Sequence, residues 1–241
     1  MPNTTSSELS LIEDIKRLPE HLQVEALKKF ERELYKSSIM LTGRHLLGYK
    51  DLTEYTHGDV IHSLEASTKR KLIVMPRGTF KSSLCSVTYP IWLLLNNPNL
   101  RILLDGELYS NSKNFLREIK MHLTNPYITN LFGNFKNDTC WNEGEIIINQ
   151  RTKNYKEASI TASGLGAEKT GQHYDCVLVD DVNSPENSNT QEKRDRVINH
   201  YRYLTSILEP DGILCIIGTR YHENDLIGWV IKNELEWGKP S

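Results

Sequence analysis

The stretch Leu72–Leu84, LIVMPRGTFKSSL, runs from an apolar, β-like segment through Pro76, Arg77 and Gly78 into a lysine followed by two serines. A phosphate-binding loop needs such parts in this order: a strand, a turn whose backbone N–H groups converge, and a helix whose positive amino end faces the phosphates. Leu72–Met75 supplies an expected strand and Lys81–Leu95 an expected helix. Pro76, Arg77, Gly78, Thr79, Phe80, Lys81, Ser82 and Ser83 are therefore candidate nucleotide-binding residues. In such a loop the lysine offsets charge on the outer phosphates and the next hydroxyl ligates magnesium, roles that fall to Lys81 and Ser82. The pattern G-x-x-x-x-G-K-[ST] is incomplete, however, because Met75 and Phe80 stand at its two glycine positions. Taken alone, the segment reads equally as a surface turn before a helix with a solvated lysine. Arg77 favours the first reading, since a guanidinium one helical turn ahead of Lys81 can fold back over a nucleotide and make the forked contacts that phosphates favour.

A second stretch, Tyr174–Asn187, YDCVLVDDVNSPEN, ends an apolar run in Asp180 and Asp181. Open α/β sheets bind ligands at the carboxyl edge of their strands. There Asp180 would hold magnesium, and Asp181 would orient or deprotonate the water that attacks a γ-phosphate. An isolated pair of acids after a strand is more often a turn; the phosphate-loop candidate about a hundred residues upstream reverses that preference. A third stretch, Gly212–Leu226, GILCIIGTRYHENDL, ends its strand in Gly218 and Thr219, a small residue and a hydroxyl placed to sense the γ-phosphate.

Around these stretches the chain has ordinary globular composition. Its 241 residues are 38% hydrophobic and 25% charged, and 29 Lys plus Arg face 31 Asp plus Glu. A polyanion would therefore have to be met by local patches rather than by overall attraction. The amino terminus, MPNTTSSELS, lacks a basic region followed by an apolar run, and no apolar stretch approaches membrane-spanning length, which predicts a cytosolic protein without membrane partners. Cys85, Cys140, Cys176 and Cys215 are spaced neither as a disulfide framework nor as a zinc site, and Cys176 and Cys215 read as buried small side chains.

Helical spacing at Leu9, Ile12 and Ile15, and again at Val24, Leu27, Phe30 and Leu34 with Pro19 near its start, predicts a helical lead-in over residues 1–45. Residues 46–241 then alternate expected strands (Leu72–Met75, Arg101–Leu104, Ile146–Ile148, Ser159–Thr161, Cys176–Val179, Ile213–Ile217) with expected helices (Lys81–Leu95, Ser110–Leu123, Glu192–Leu208, Asp225–Glu234). Continuous apolar runs alternating with helices predict an α/β protein with a mostly parallel central sheet flanked by helices. The end of the chain, EWGKPS, reads as the start of a linker to a further domain.

The order of these motifs resembles the ATPase domain of the large terminase subunit, the DNA-packaging motor of tailed bacteriophages and prophages. PRGTFKSSL, Pro76–Leu84, is similar to that family's divergent Walker A segment, in which an arginine four residues before the lysine is habitual. ASGLGAEKTGQHYDCVLVDDVNSPEN, Ala162–Asn187, is similar to its glycine-rich loop and Walker B strand. EPDGILCIIGTRYHENDLIG, Glu209–Gly228, is similar to its coupling segment, with Gly218 and Thr219 as the coupling residues. The resemblance spans the chain from about Leu46 onward. It implies a P-loop (ASCE-type) ATPase that uses ATP and Mg2+, with Asp181, Arg77 and Lys81 catalytic and Ser82 and Asp180 on the metal. It also implies double-stranded DNA, a portal protein and a small terminase subunit as partners, and self-association into a pentameric ring on a procapsid in the host cytoplasm. A carboxyl-terminal nuclease domain would follow near Ser241. The departures are Phe80, and aspartate rather than glutamate at 181; they bear on nucleotide affinity and rate.

Family motors also take an arginine from a neighbouring subunit. The segment before Tyr174 offers Lys169, Gln172 and His173 instead, leaving Arg151, Arg194, Arg196 and Arg202 as candidates, each also readable as a solvated charge. Tyr55, His57 and His62 are placed to stack on adenine or to serve packing and capping. Ser67–Lys71, STKRK, could meet DNA phosphate or be a solvated strand entrance. Asn111 and Lys113 carry no argument for a role in force transmission. Two other readings stand beside the motor: a metal-dependent nuclease using Asp105, Asp180, Asp181 and Asp225, and a non-hydrolysing docking module in which the phosphate loop survives only as scaffold.

Overall fold

The computed structural model describes residues 15–234 apart from Glu168 and Thr170. The helical spacing at Leu9 and Ile12 and the linker EWGKPS lie outside the described residues, as do parts of the glycine-rich loop.

A long helix α1 (Glu20–Ser37), a short turn α2 (Ile39–Leu41) that continues through a wider π-type turn over Thr42–Leu46, and α3 (Glu54–Glu65) precede the first strand. Seven strands follow: β1 (Arg70–Val74), β2 (Ile102–Gly106), β3 (Lys136–Trp141), β4 (Glu145–Ile148), β5 (Ile160–Ala162), β6 (Tyr174–Asp180) and β7 (Leu208–Gly218). They form one sheet in the order β1-β7-β6-β2-β5-β4-β3. The first five in that order run parallel, while β4 and β3 turn antiparallel at one edge. The expected α/β class and mostly parallel sheet are thus present. Between strands lie α4 (Tyr89–Asn96), α5 (Tyr109–Leu123), α6 (Pro126–Phe132), α7 (Pro185–Ser188) and α8 (Gln191–Ser206), and α9 (Leu226–Glu234) follows β7.

The apolar runs are continuous because both faces of the central strands are covered. Ile102, Leu104, Cys176, Leu178, Cys215 and Ile217 point into one core with α4, α5 and the helical lead-in. Leu103, Val177, Val179, Leu214 and Ile216 point into the other, beneath α8 and α9. Cys85, Cys176 and Cys215 are free, buried thiols, as their apolar settings imply. Strand β3 (KNDTCW) was not expected: it is a partly exposed edge strand without an apolar rhythm, and its lysine and aspartate suit an edge that must not recruit another chain. The helix expected from Lys81 begins with one helical turn and widens to a π-type segment over Ser83–Thr88 before α4.

The basic run STKRK is corrected in one respect. Lys71 is buried, and its ammonium donates to the carbonyls of Ser63 (2.5 Å) and Ala66 (2.9 Å) and to Thr68 Oγ1 (3.1 Å). It closes the carboxyl end of α3 and is not presented to a DNA backbone.

At the amino edge of the parallel strands, Arg101 ties three of them together. Its guanidinium donates to both carboxylate oxygens of Asp175 (2.9 and 2.8 Å) and to Glu209 Oε1 (2.7 Å), lies 3.6 Å from Glu157, and stacks 4.5 Å from the ring centre of Tyr155. Burial pushes the Asp175 carboxyl up, but the Arg101 hydrogen bonds overcome it and hold the group below the usual carboxylate range. A depressed carboxyl stabilises the fold above its unfolded-state pKa, and that contribution fades as pH falls through the folded value. Arg101→Met is expected to cost about 3 kcal/mol at pH 7. The deficit should shrink as pH falls and Asp175 takes up its proton. Urea unfolding of both proteins at pH 7 and near pH 3 checks this; an equal deficit at both would remove Asp175 from the account.

Candidate functional site

Lys81 lies at the end of the loop after β1, and Asp180 and Asp181 lie at the carboxyl end of β6. Strand β7 separates β1 from β6 in the sheet, so its own end, Gly218 and Thr219, falls between the two. The loop is anchored to that strand. Met75 N–H donates to Gly218 O (3.1 Å), and Thr219 Oγ1 donates to Met75 O (3.0 Å). The Thr219 hydroxyl thus fastens the loop base.

Within the loop, Thr79 Oγ1 donates to Pro76 O (2.8 Å), and His57 Nε2 reaches the Thr79 carbonyl from α3 (2.9 Å). Carbonyl oxygens accept only, so His57 carries its proton on Nε2. His57 is buried, which assigns it to bracing the loop rather than stacking on a base. Tyr55, by contrast, is fully exposed, and His62 lies 3.9 Å from Glu54 on the exposed side of the same helix.

Gly78 and Phe80 both hold left-handed backbone, with φ of 79° and 62°. A non-glycine residue there costs about 1–2 kcal/mol, so Phe80 carries a ring on a backbone conformation that suits glycine. That ring packs edge-on against Tyr49, 5.2 Å between centres. The exposed Arg77 guanidinium lies 5.4 Å over the Tyr221 ring, beyond the end of β7. Ser82 and Ser83 are half-buried at the helix entrance, and Ser83 O accepts from Thr88 Oγ1 (2.9 Å).

The Lys81 ammonium, 6% exposed, donates to Asp181 Oδ2 at 2.8 Å. The two motifs expected to share a site therefore meet directly. Asp181 itself has φ of 45°, and its N–H donates to Ile217 O (2.9 Å). Among the described residues only Phe80 and Asp181 are non-glycine residues with positive φ, and they flank this ion pair. Asp180 is 5% exposed; its Oδ2 accepts from Ser86 Oγ (2.7 Å), while its buried Oδ1 has no partner. Burial raises the Asp180 carboxyl above its ordinary pKa, Asp181 adds to the rise, and the Ser86 and Ser82 hydroxyls with Lys81 oppose it. Gly106, the β2 neighbour of Asp180, has no room for a side chain: a Cβ there would lie 2.7 Å from Asp180 O.

These donors fit magnesium in one way only. No group of three or more His, Cys, Asp or Glu among the described residues is placed to hold a metal. A Ser82 hydroxyl and an Asp180 oxygen lacking a partner instead suit an ion that keeps several waters and takes its other ligands from phosphate. The four acids of the nuclease reading do not converge. Asp225 spends both oxygens on the N–H groups of Tyr221 (2.8 Å), His222 (3.2 Å) and Gly228 (2.9 Å), turning the chain into α9. Asp105 is paired in the interior with His200 Nε2 at 2.9 Å.

Among the arginines, Arg151 donates to Glu157 O (2.7 Å), Arg194 is buried on Ser188 O (2.7 Å), and Arg202 stacks 5.2 Å from the Trp229 ring. Arg196 is exposed on α8 beside Gly166 of the glycine-rich loop. Lys113 pairs with Glu143 at 3.0 Å on the outer surface.

Sequence reasoning missed Ser86, His57 as a loop brace, Tyr221 beneath Arg77, and Tyr49 against Phe80. Ser86 carried a signal, standing four residues after Ser82 and hence on the same face of a helix. No protein-family model matches the chain, and no curated protein matches it.

Because folding raises the Asp180 pKa, the stability linked to this group is complete below its unfolded value and is lost as pH rises through the folded one. Above that range the buried carboxyl is a local liability. Asp180→Asn is therefore expected to raise Tm at pH 7 by about 2–4 °C, the shift that ~1 kcal/mol makes in a chain of this size, and to leave Tm unchanged near pH 3. Calorimetric scans at the two pH values check this, and a lower Tm at pH 7 would refute it.

Proposed function

We propose that this chain is a magnesium-dependent ATPase, the motor domain of a viral large terminase, which couples ATP hydrolysis to translocation of double-stranded DNA. The observation that carries the ATPase reading is the 2.8 Å pair between Lys81 and Asp181 at the carboxyl edge of a mostly parallel sheet. The terminase reading adds the order of the three motifs, and with it the portal, small subunit, procapsid, ring and host cytoplasm as expected partners and setting.

A carboxylate, that of Asp181, neutralises the lysine. A triphosphate offers Lys81 more negative charge than one carboxylate does, so Lys81 turns to the β- and γ-phosphates and Asp181 is released as a proton acceptor. The loop N–H groups and Arg77 bind the remaining phosphate oxygens. Thr219 links the γ-phosphate end of the site to the loop base through Met75. Asp181 orients a water and takes its proton as the water oxygen bonds to the γ-phosphorus and the bond to the β-phosphate oxygen breaks, leaving ADP and phosphate. Magnesium, where held by Ser82 and Asp180, supplies charge neutralisation for the phosphates.

Two details weigh against the other readings. Phe80 occupies the glycine conformation, so its presence does not argue for a loop that has lost its ligand. Asp225 spends both oxygens on backbone N–H groups, and among the described residues no group of three or more acidic or metal-ligating side chains is placed to hold a metal, which weighs against a two-metal nuclease.

Asp181→Asn is expected to lower ATP turnover by about 10²- to 10⁴-fold, the usual worth of a positioned proton acceptor, with ATP still bound in calorimetric titration. Lys81→Ala should lose the binding as well. Turnover unchanged in the first variant would remove Asp181 from the chemistry, and a parent chain that binds no ATP with magnesium present would end the ATPase reading.

A further inference from the structure

Phe80 can hold its left-handed backbone only if something keeps its ring in place, and the surroundings identify what does so. The Tyr49 ring meets it edge-on, 5.2 Å between centres at 76°. Tyr49 follows Gly48, whose φ of 81° suits glycine, and its N–H donates to Gly43 O (2.9 Å). Its hydroxyl donates to Glu118 Oε1 (2.5 Å) and therefore accepts from His122 Nε2 (2.8 Å), since a phenol carries one hydrogen. The His122 ring also packs edge-on to it, 5.3 Å between centres. Glu118 and His122 are one turn apart on α5, the helix that leaves the carboxyl end of β2. Burial, with the Glu118 carboxylate beside it, keeps the phenol protonated well past its ordinary range, and burial lowers the His122 pKa against the opposing pull of Glu118. The phosphate loop is thus gripped from outside by an aromatic clasp seated on a different helix.

We propose that Tyr49 is a positioning residue for the nucleotide site: it acts through Phe80 to hold the left-handed turn that aims Lys81 and the loop N–H groups inward. The proposal rests on the ATPase reading above. In a loop with glycine before the lysine, the backbone adopts this turn unaided. Here a side chain that disfavours the turn is retained, and Tyr49 with Glu118 and His122 supplies what the glycine would have given. The clasp touches neither phosphate nor base. Its effect is therefore conditional on residue 80, and that condition separates positioning from a general structural role.

The test is a cycle of Tyr49→Ala, Phe80→Gly and the double variant, read as ATP affinity by calorimetric titration with magnesium and as the split between KM and kcat. Tyr49→Ala should weaken ATP about tenfold in the parent and about onefold, that is not at all, in the Phe80→Gly background, with KM carrying most of the change. If Tyr49→Ala does not fold, Tyr49→Phe serves instead: it keeps the ring, drops both hydroxyl contacts, and should weaken ATP about threefold in the parent alone. An equal loss in both backgrounds makes Tyr49 a structural residue only and overturns the proposal. So does no loss in the parent, or loss of ATP binding in Phe80→Gly itself. A parent chain that binds ATP while the cycle shows no dependence on residue 80 sinks the clasp alone; one that binds no ATP sinks the ATPase reading with it.

Discussion

The ion pair between Lys81 and Asp181 joins residues 100 positions apart and is the constraint around which the carboxyl edge of the sheet is arranged. A lysine ammonium taken out of water costs several kcal/mol unless an opposite charge meets it. That partner cannot come from the same loop, whose groups there are neutral or cationic. It comes from the end of β6, and the strand order makes this possible. With β7 between β1 and β6, the loop after β1 and the turn after β6 face one another across a single strand end of small residues, Gly218 and Thr219. A Cβ at 218 would make ordinary contact with Asp181 Oδ1 and Ile227, each at 3.6 Å, so the gap is already filled to van der Waals distance beyond it.

Backbone strain is placed on the same two residues that the pair depends on. Phe80 and Asp181 are each held at positive φ by packing or hydrogen bonding from outside their own segment: Tyr49 for the first, the Ile217 carbonyl for the second. Aspartate accepts that conformation more readily than phenylalanine, because its short polar side chain can hydrogen-bond locally. The strain therefore falls unequally, and the larger share lies on the loop that carries the lysine. Such concentrations persist only where surrounding structure over-determines them, and they gather at binding sites and switches.

Much of the fold was legible because burial on both faces writes itself directly into a strand: Cys176–Val179 and Ile213–Ile217 could hardly be anything but covered strands. The site was legible as far as charge is concerned. A lysine after Gly78, twin acids after one apolar run and a Gly-Thr after another mark strand ends that a parallel sheet collects on one edge. What could not be read were contacts made by neutral or aromatic groups between distant elements. Nothing in the spacing of Tyr49, His57 or Tyr221 marks them as loop supports, because each sits in a segment whose local pattern serves another purpose. Likewise Lys71 looked like part of a basic run. Only the turn of α3 onto β1 reveals it as a buried cap for three oxygen acceptors. Strand β3 escaped because an edge strand needs no apolar rhythm.

The same physics leaves part of this site unsatisfied. Lys81 is satisfied by a carboxylate, but the other oxygen of that carboxylate and Oδ1 of Asp180 are buried without partners. Buried oxygens of this kind are costly, and a fold selected for stability alone would have paired or removed them. A neighbouring hydroxyl offsets part of the cost: Ser86 donates to Asp180 Oδ2 (2.7 Å). Two acids thus share one lysine. On the proposed ATPase reading, a triphosphate with its cation would give Lys81 a stronger partner and the Asp180 carboxyl a cation, and would leave Asp181 free to accept a proton. On that reading the cost of the unpartnered oxygens would be converted into affinity for the ligand that relieves it.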